Sequence, residues 1–154
     1  MAFEIKNKQW FESHINPREP GFYSNFGIQK HIKDLLNEYS IQRSLPMLII
    51  NEEEEIVGRV NLTKIDSDKK NAYLGYRVGE KFTRCGAAKF AVGQIIYHAI
   101  QMNIKTLIAL VSTENKASLK VLGYHCFKEI KIHKDYAEVN DVSIDCIEYQ
   151  YKIS

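Results

Sequence analysis

An uninterrupted apolar run, Thr-Leu-Ile-Ala-Leu-Val at residues 106–111, constrains the fold more than any other segment. The run is too short to cross a bilayer, which takes about 20 apolar residues in a helix. Its length and its lack of alternation are typical of a strand that is covered on both faces of a sheet. We therefore expect a layered α/β arrangement in which helices pack on the sheet that contains this run.

Two stretches with helical spacing indicate which helices cover that sheet. One follows a loop with prolines and glycines over Asn16–Gly27, and the other runs from Gly86 to about Gln101. We expect both apolar stripes to face the core. The first stripe consists of Ile28, Ile32, Leu35, Leu36 and Tyr39, and the second of Ala88, Ala91, Val92, Ile95, Ala99 and Ile100.

Strand patterns account for most of the remaining chain. Three stretches between the two helices, separated by polar turns, predict an antiparallel meander. A short helix over Asn115–Leu122 and two closing strands follow the apolar run. The predicted order is therefore helix, three strands, helix, strand, helix and two strands, an α/β fold with a mixed sheet. The predicted strands besides the run are Met47–Ile50, Ile56–Ile65, Ala72–Val78, Phe127–Lys134 and Val142–Ile153.

Composition and charge exclude several classes of protein. A chain of 154 residues suffices for one domain, which we place at residues 1–154. A net charge of +2 without a dense Lys/Arg stripe argues against nucleic-acid binding. Cys85, Cys126 and Cys146 are too widely spaced to predict a zinc site or a disulfide framework, so we expect no metal. No segment suits a signal peptide or a membrane span, so we expect no membrane association and a cytoplasmic location.

The segment Val78–Ala88 carries the clearest functional signal, because it joins a predicted strand to an amphipathic helix. Small residues over Gly86–Ala88 let a ligand approach the backbone, and the first N–H groups of a helix, with its dipole, attract phosphate. Lys81 and Arg84 would add charge-assisted contacts. Packing alone also produces such a strand, turn and helix, and neither G-x-x-x-x-G-K-[ST] nor G-x-G-x-x-G is present.

This loop resembles the acetyl-CoA loop of the GCN5-related N-acetyltransferases, the GNAT family. Their motif Gln/Arg-x-x-Gly-x-Gly/Ala aligns with Thr-Arg-Cys-Gly-Ala-Ala at residues 83–88, and their Asn-x-x-Ser/Ala aligns with Asn115–Ser118. Leu74–Val78 is similar to the strand that holds the pantetheine arm, and Cys126-Phe127 stands where relatives commonly have Gly-Phe. The similarity runs from about Ile28 to the C-terminus and is closest to the RimJ/RimL ribosomal-protein N-terminal acetyltransferases.

The resemblance implies a GNAT-type acyl-CoA N-acyltransferase fold, in which a mixed, mostly antiparallel central sheet is flanked by helices. It also implies acetyl-CoA as co-substrate and direct transfer of the acetyl group to a primary amine within a ternary complex. In the RimJ/RimL kind, that amine is the α-amine of a protein N-terminus. The implied cofactor-binding residues are Val78, Thr83, Arg84, Cys85, Gly86, Ala87, Ala88 and Asn115.

Candidate catalytic residues follow from the same resemblance. Ser118 would lie near the thioester and assist the leaving thiolate, or it would only form a hydrogen bond within the first turn of its helix. Asn115 would bind the pantetheine arm, cap the helix, or do both. A backbone N–H near Val78 would stabilise the thioester oxygen as it gains charge. For the general base, Tyr73 occupies the position of a glutamate in several relatives, and Glu138 lies close to a glutamate of the RimL-like C-terminal hairpin.

Some positions depart from the family pattern. Thr83 replaces Gln or Arg in the loop motif, a loss for which the adjacent Arg84 would compensate. Cys126 replaces a common glycine, so its turn must either avoid positive φ or be strained. The family's first strand and first helix are hard to recognise in Met1–Asn25.

The sequence leaves several alternatives open. Leu122 stands where some relatives place a tyrosine acid, which argues against that variant of the mechanism. His125 and His133 match no family position, so we interpret them as surface or packing residues. The departures also allow a non-catalytic acyl-CoA-binding module, or an acetyltransferase for a small amine such as a polyamine or amino sugar. A monomer and a homodimer both fit the sequence.

Overall fold

A mixed six-stranded sheet forms the centre of the computed structural model, which describes residues 2–14 and 18–154. The strands are β1 (Leu45–Ile50), β2 (Ile56–Asp66), β3 (Asn71–Val78), β4 (Thr106–Ser112), β5 (Lys128–Val139) and β6 (Val142–Lys152). They lie in the order β1-β2-β3-β4-β6-β5. All neighbours are antiparallel except β3 and β4, which are parallel. The predicted mixed, mostly antiparallel sheet is confirmed.

Helices cover both faces of this sheet. They are α1 (Ala2–Lys6), α2 (Lys8–Glu12), α3 (Asn25–Ser40), α4 (Ala87–Gln101) and α5 (Lys116–Tyr124). The core lies between the sheet and α4, and the apolar stripe of α4 faces it as predicted, except that Ile100 is exposed. The run at residues 106–111 forms β4 and lies in the middle of the sheet, as its composition predicts. Its buried side chains are Leu107, Ile108, Ala109 and Val111.

The apolar stripe of α3 does not face the core as the sequence suggested. Ile28 is buried and Leu35 is half-buried, whereas Ile32, Leu36 and Tyr39 are about half exposed. The reason is position: α3 mainly contacts the edge strand β1, so only one row of its side chains reaches the sheet. Helical periodicity specifies which side chains share a face, but not how wide a surface covers that face.

The N-terminal segment, in which the sequence showed no family element, forms the short helices α1 and α2. Both are fastened to the end of β3. Asn7 Oδ1 accepts a hydrogen bond from the Glu80 N–H (3.0 Å), and the Trp10 indole donates to the Val78 carbonyl (3.1 Å). Phe11 and Asn7 are buried. Helices of five residues contain too few turns to show a hydrophobic repeat, which explains why the pattern could not reveal them.

The predicted loop before α3 is shorter than expected. Its first two residues lie outside the described ranges, and its end is set by the start of α3 at Asn25. Ser24 caps this helix, because its hydroxyl oxygen accepts a hydrogen bond from the Gly27 N–H (3.0 Å). Within the described ranges, no helix is both long and apolar enough to cross a membrane.

Candidate active site

Strands β3 and β4 separate at one end, and the gap between them is the candidate site. The strands pair only over Asn71–Tyr73 and Thr106–Ile108. Beyond these residues lies a cavity of about 260 Å³, which we call the β3–β4 cleft. Its walls come from Leu74–Arg77 of β3, Ala109–Ser112 of β4 and two residues of the α5 start. The cleft therefore opens at the carboxyl ends of the only parallel pair in the sheet.

The free edge of β3 presents backbone groups to this cleft. The Gly79 N–H donates to the Val57 carbonyl (2.9 Å) at the end of the β2–β3 ladder. Backbone groups alternate in direction along a strand, so this register directs those of Leu74, Tyr76 and Val78 away from β2 and toward β4. The Val78 carbonyl already accepts from the Trp10 indole, so an extended ligand arm lying between the two strands would find the backbone groups of Tyr76 and the Val78 N–H along this edge.

The loop from β3 to α4 contains two residues with a left-handed backbone conformation. Arg84 (φ +62°) and Gly86 (φ +86°) are left-handed, whereas Cys85 between them is not. Left-handed residues just before the open first turn of a helix are common in backbone sites that bind anions. The side chains of Thr83 and Cys85 donate instead to carbonyls of the 3-10 turn Glu80–Phe82, at 2.9 and 2.8 Å. An anion at this loop would therefore meet the backbone and the first turn of α4, and not these two side chains.

The start of α5 forms the opposite wall. Asn115 caps this helix, because its Oδ1 accepts a hydrogen bond from the Ser118 N–H (3.0 Å), which leaves its amide nitrogen as a donor. The Tyr76 hydroxyl donates to the Ser118 carbonyl (3.3 Å) and so connects β3 to α5. Burial raises the pKa of Tyr76, so this hydroxyl stays protonated. The Ser118 hydroxyl makes no hydrogen bond with another residue of the described ranges.

The floor of the cleft is basic. Arg59 on β2 faces Arg77 on β3 in the strand register, and Asn61 faces Gly75 in the adjacent pair on the same face. All four residues line the cleft. Across residues 2–14 and 18–154, the cleft lining contains these two arginines and no carboxylate.

A buried carboxylate, that of Glu4 in α1, forms ion pairs with both arginines. Its oxygens lie 3.0 Å from Arg59 Nε and 3.6 Å from Arg77 Nη1, and the side chains of Glu4, Arg59 and Arg77 are 7%, 12% and 20% exposed. Burial, and repulsion from Arg59, lower the pKa of Arg77 to about 10. Arg59 Nη1 lies 3.3 Å from His31 Nε2. Burial and Arg59 lower the pKa of His31, which is therefore a neutral acceptor here.

Comparison with known families identifies the family of the chain. The sequence profile of the acetyltransferase (GNAT) domain matches residues 5–125. The chain belongs to the GNAT family. The resemblance seen in the loop and in the Asn-x-x-Ser motif is thus confirmed. One relative, the uncharacterized N-acetyltransferase p20 of Bacillus licheniformis, is 28% identical over 114 residues. That match covers 72% of this chain and 64% of the relative, which is less than two thirds of the relative's length.

Solved GNAT structures share the fold over nearly the whole chain. The ribosomal-protein-S5-alanine acetyltransferase of Vibrio fischeri has a TM-score of 0.90 and 19% identity, and the match covers 98% of this chain and 84% of the other. RimL, the ribosomal L7/L12 alpha-N-protein acetyltransferase in complex with coenzyme A, has a TM-score of 0.91 and 21% identity, and the match covers 99% of this chain and 85% of RimL. The microcin C7 self-immunity acetyltransferase MccE with acetyl-CoA and AMP has a TM-score of 0.87 and 23% identity, and the match covers 99% of this chain and 82% of MccE. At these identities, the similarity establishes the fold.

The structure brings part of the predicted GNAT site together. Val78 ends β3 beside the cleft, and Asn115 and Ser118 line the cleft from the opposite wall. The predicted cofactor loop, Thr83–Ala88, leads from the same end of β3 into α4. The roles assigned to these residues remain predictions.

The predicted general bases lie outside the cleft lining. Tyr73 is the last β3 residue that pairs with β4, and the Lys64 ammonium lies 5.2 Å from its ring centre. Glu138 faces Ser143 in the β5–β6 hairpin. Leu122 is fully buried in the core.

The remaining polar candidates from the sequence have structural partners elsewhere. His125 Nε2 lies 2.8 Å from the Lys89 carbonyl oxygen, and His133 Nε2 lies 2.9 Å from Glu148 Oε2. Neither histidine lines the cleft. Cys126 has a φ of +62°, so its turn is the strained one of the two alternatives. In the described part of the chain, no group of three His, Cys, Asp or Glu side chains is arranged to hold a metal ion.

The sequence analysis gave no individual role to several cleft residues, among them His14, Arg59, Tyr76 and Arg77. Alternation places both arginines on the polar face of their strands, but only the β2–β3 register sets them opposite each other. His14 follows α2, and no motif identifies it. Its Nδ1 lies 2.9 Å from the Trp10 carbonyl oxygen and 2.8 Å from the Ser13 hydroxyl oxygen.

Proposed function

We propose that this protein is an acetyl-CoA-dependent N-acetyltransferase that acetylates a primary amine. The observation that carries the proposal is the β3–β4 cleft, which has Asn115 with Ser118 on its wall and beside which β3 continues through a loop with two left-handed residues into α4. A phosphate-binding loop and a polar wall on either side of a splayed strand are what an extended CoA thioester requires. Family membership supports the same chemistry.

In this proposal, the cofactor binds chiefly through backbone groups. The N–H groups over Arg84–Ala88 and the positive end of α4 hold the pyrophosphate. The free edge of β3 and the Asn115 amide nitrogen hold the pantetheine arm. Thr83 contributes by bracing the 3-10 turn and not by contacting phosphate, since its hydroxyl donates to the Glu80 carbonyl. The substitution of Gln or Arg by Thr83 therefore leaves the binding loop intact.

The reaction needs one new bond, one broken bond and one proton transfer. The neutral amine attacks the thioester carbonyl carbon, the C–S bond breaks, and the proton lost by the amine balances the one gained by the CoA thiolate. A backbone N–H near Val78 stabilises the oxygen as it gains charge. The Ser118 hydroxyl donates to the leaving sulfur. His14 Nε2 serves as the base in place of Tyr73 and Glu138, because His14 lines the cleft and they do not.

The acceptor that we favour is the α-amine of a peptide or protein. RimL and the S5-alanine acetyltransferase, which share the fold, are named for ribosomal-protein substrates. An α-amine has a pKa near 8, against about 10.4 for a lysine side chain, so more of it is neutral near pH 7. The protein would then act in the cytoplasm, where such acceptors and acetyl-CoA occur together.

The test measures acetyl-CoA consumption through the CoA thiol that is released. Three kinds of acceptor are compared: peptides with free N-termini, lysine-containing peptides with blocked N-termini, and small amines. We expect acetylated product, identified by mass, from at least one primary amine. Acetyl-CoA binding without turnover of any amine would instead identify a non-catalytic acyl-CoA-binding module. Turnover of a polyamine or amino sugar with inert peptides would reject the α-amine but keep the acetyltransferase.

A further inference from the structure

The charges around the cleft floor do not balance. Like charges directly opposite each other on neighbouring strands are destabilising, and Arg59 faces Arg77 in this way. Across the described ranges, Glu4 is the only carboxylate within ion-pair distance of either guanidinium. Arg18 adds further repulsion, since it lowers the pKa of both arginines. One positive charge therefore stays uncompensated where little water reaches it.

The two arginines lie between the cleft and the N-terminal helices, and the Arg77 guanidinium carbon is 4.9 Å from the centre of the buried Phe11 ring. Both arginines line the cleft, whereas Glu4 approaches them from α1 and is not part of the lining. The floor is open beside Gly75, which lies on the same face as Arg77, since a Cβ atom added there would meet no atom within 4 Å. His31 does not supply compensation, since it is neutral. Buried cations are normally paired, and an anionic group of a ligand in the cleft would complete the pairing that Glu4 begins.

We propose that the acceptor amine carries an oxyanion, a carboxylate or a phosphate, which binds Arg59 and Arg77 on the cleft floor. The inference rests on the proposed function and specifies its substrate class. A guanidinium binds either anion through two parallel hydrogen bonds, and two adjacent guanidiniums define one anchoring point. The anchored acceptor then extends from the floor toward Ser118, whose hydroxyl donates to the leaving sulfur in the proposed function.

The same charges determine which amines the cleft rejects and how it activates the one it binds. A polyamine enters as a polycation and meets two arginines and no carboxylate in the described lining, so it is repelled. For a bound α-amine, nearby positive charge favours the neutral form over the ammonium form. The arginines therefore anchor the acceptor through its anion and at the same time help to deprotonate its amine.

The experiment compares acceptors that differ only in the anion. One pair is a dipeptide amide with Glu or Gln as second residue, and the other is O-phosphoethanolamine against ethanolamine. We expect the wild-type protein to favour one anionic member by about tenfold or more in kcat/KM, the effect of a charged hydrogen bond. The pair that shows the preference identifies the source as an acidic peptide or a small phosphorylated amine. Raising the salt concentration should reduce the preference.

Two variants test whether the preference for the anionic acceptor comes from the arginines on the cleft floor. Arg77→Gln should abolish it while the CoA dissociation constant stays unchanged, and Arg43→Gln, which removes an exposed arginine at the opposite end of the sheet, should keep it. If Arg77→Gln does not fold, the salt dependence of the wild-type protein decides. If no amine is acetylated, calorimetric titration of the anionic members into the CoA-saturated protein decides, with binding of the anionic member alone expected. Equal kcat/KM within both pairs, an unchanged preference in Arg77→Gln, or no binding would overturn the inference. Acetylation without anion preference would leave the proposed function standing.

Discussion

Replacing Gly86 with alanine tests the cofactor loop most sharply. Gly86 has a φ of +86°, and a Cβ atom added there would meet no protein atom within 4 Å. The substitution therefore creates no clash within the protein, and its effects are backbone strain and contact with a ligand. A left-handed conformation costs an L-residue about 1–2 kcal/mol, which the ligand-free loop escapes by relaxing but the bound loop must accept. At about 1.4 kcal/mol per tenfold, CoA should bind roughly 5- to 30-fold more weakly to Gly86→Ala.

Isothermal titration calorimetry with CoA measures this change, and thermal unfolding in the absence of CoA shows whether the fold is affected. Gly123→Ala is the matched control, because Gly123 lies in the last turn of α5, has no positive φ and also has open space around its Cβ position. We expect the control to bind CoA like the wild type and to be slightly more stable. Equal CoA affinity of Gly86→Ala and wild type would show that the loop does not hold the cofactor.

Three further substitutions test other parts of the structure. Ser118→Ala should lower kcat about ten- to a hundredfold with little change in the KM for acetyl-CoA; an unchanged kcat would limit Ser118 to a structural role. Cys126→Gly should stabilise the protein by about 1 kcal/mol, seen as a rise in Tm of about 2–4 °C, because Cys126 has a φ of +62°. The pKa of His31 in the folded state is below its unfolded value. The contribution of neutral His31 to the free energy of unfolding is therefore complete above about pH 6.5 and is lost as the pH falls. His31→Gln should therefore reduce the loss of Tm on acidification, and an identical pH profile would contradict that assignment.

The sheet could be predicted because its strands follow from local periodicity. The meander from β1 to β3 joins neighbouring strands through short turns, and the composition of β4 reports burial on both faces. The exposed side of α3 could not be predicted, since burial depends on which element covers a stripe. In the same way, α1 and α2 became recognisable only through tertiary contacts, such as the hydrogen bond from Trp10 to Val78.

The same distinction separates the parts of the site that could be predicted from the sequence from those that could not. The loop over Thr83–Ala88 and the Asn115–Ser118 motif are contiguous in sequence, so their pattern was visible. The basic floor is not contiguous, because it needs the register of β2 with β3 and a carboxylate from α1. The general bases proposed from family positions, Tyr73 and Glu138, depended on a correspondence that says nothing about which side chains line the cleft.

A crystal structure of the protein with acetyl-CoA would show directly whether the β3–β4 cleft holds the cofactor. We predict density for the pantetheine arm between β3 and β4, the pyrophosphate on the N–H groups of Arg84–Ala88, and the thioester beside Ser118. Density elsewhere would contradict the proposed function of the cleft, above all in the larger cavity of about 940 Å³ near Arg43 and Asn103 at the opposite end of the sheet.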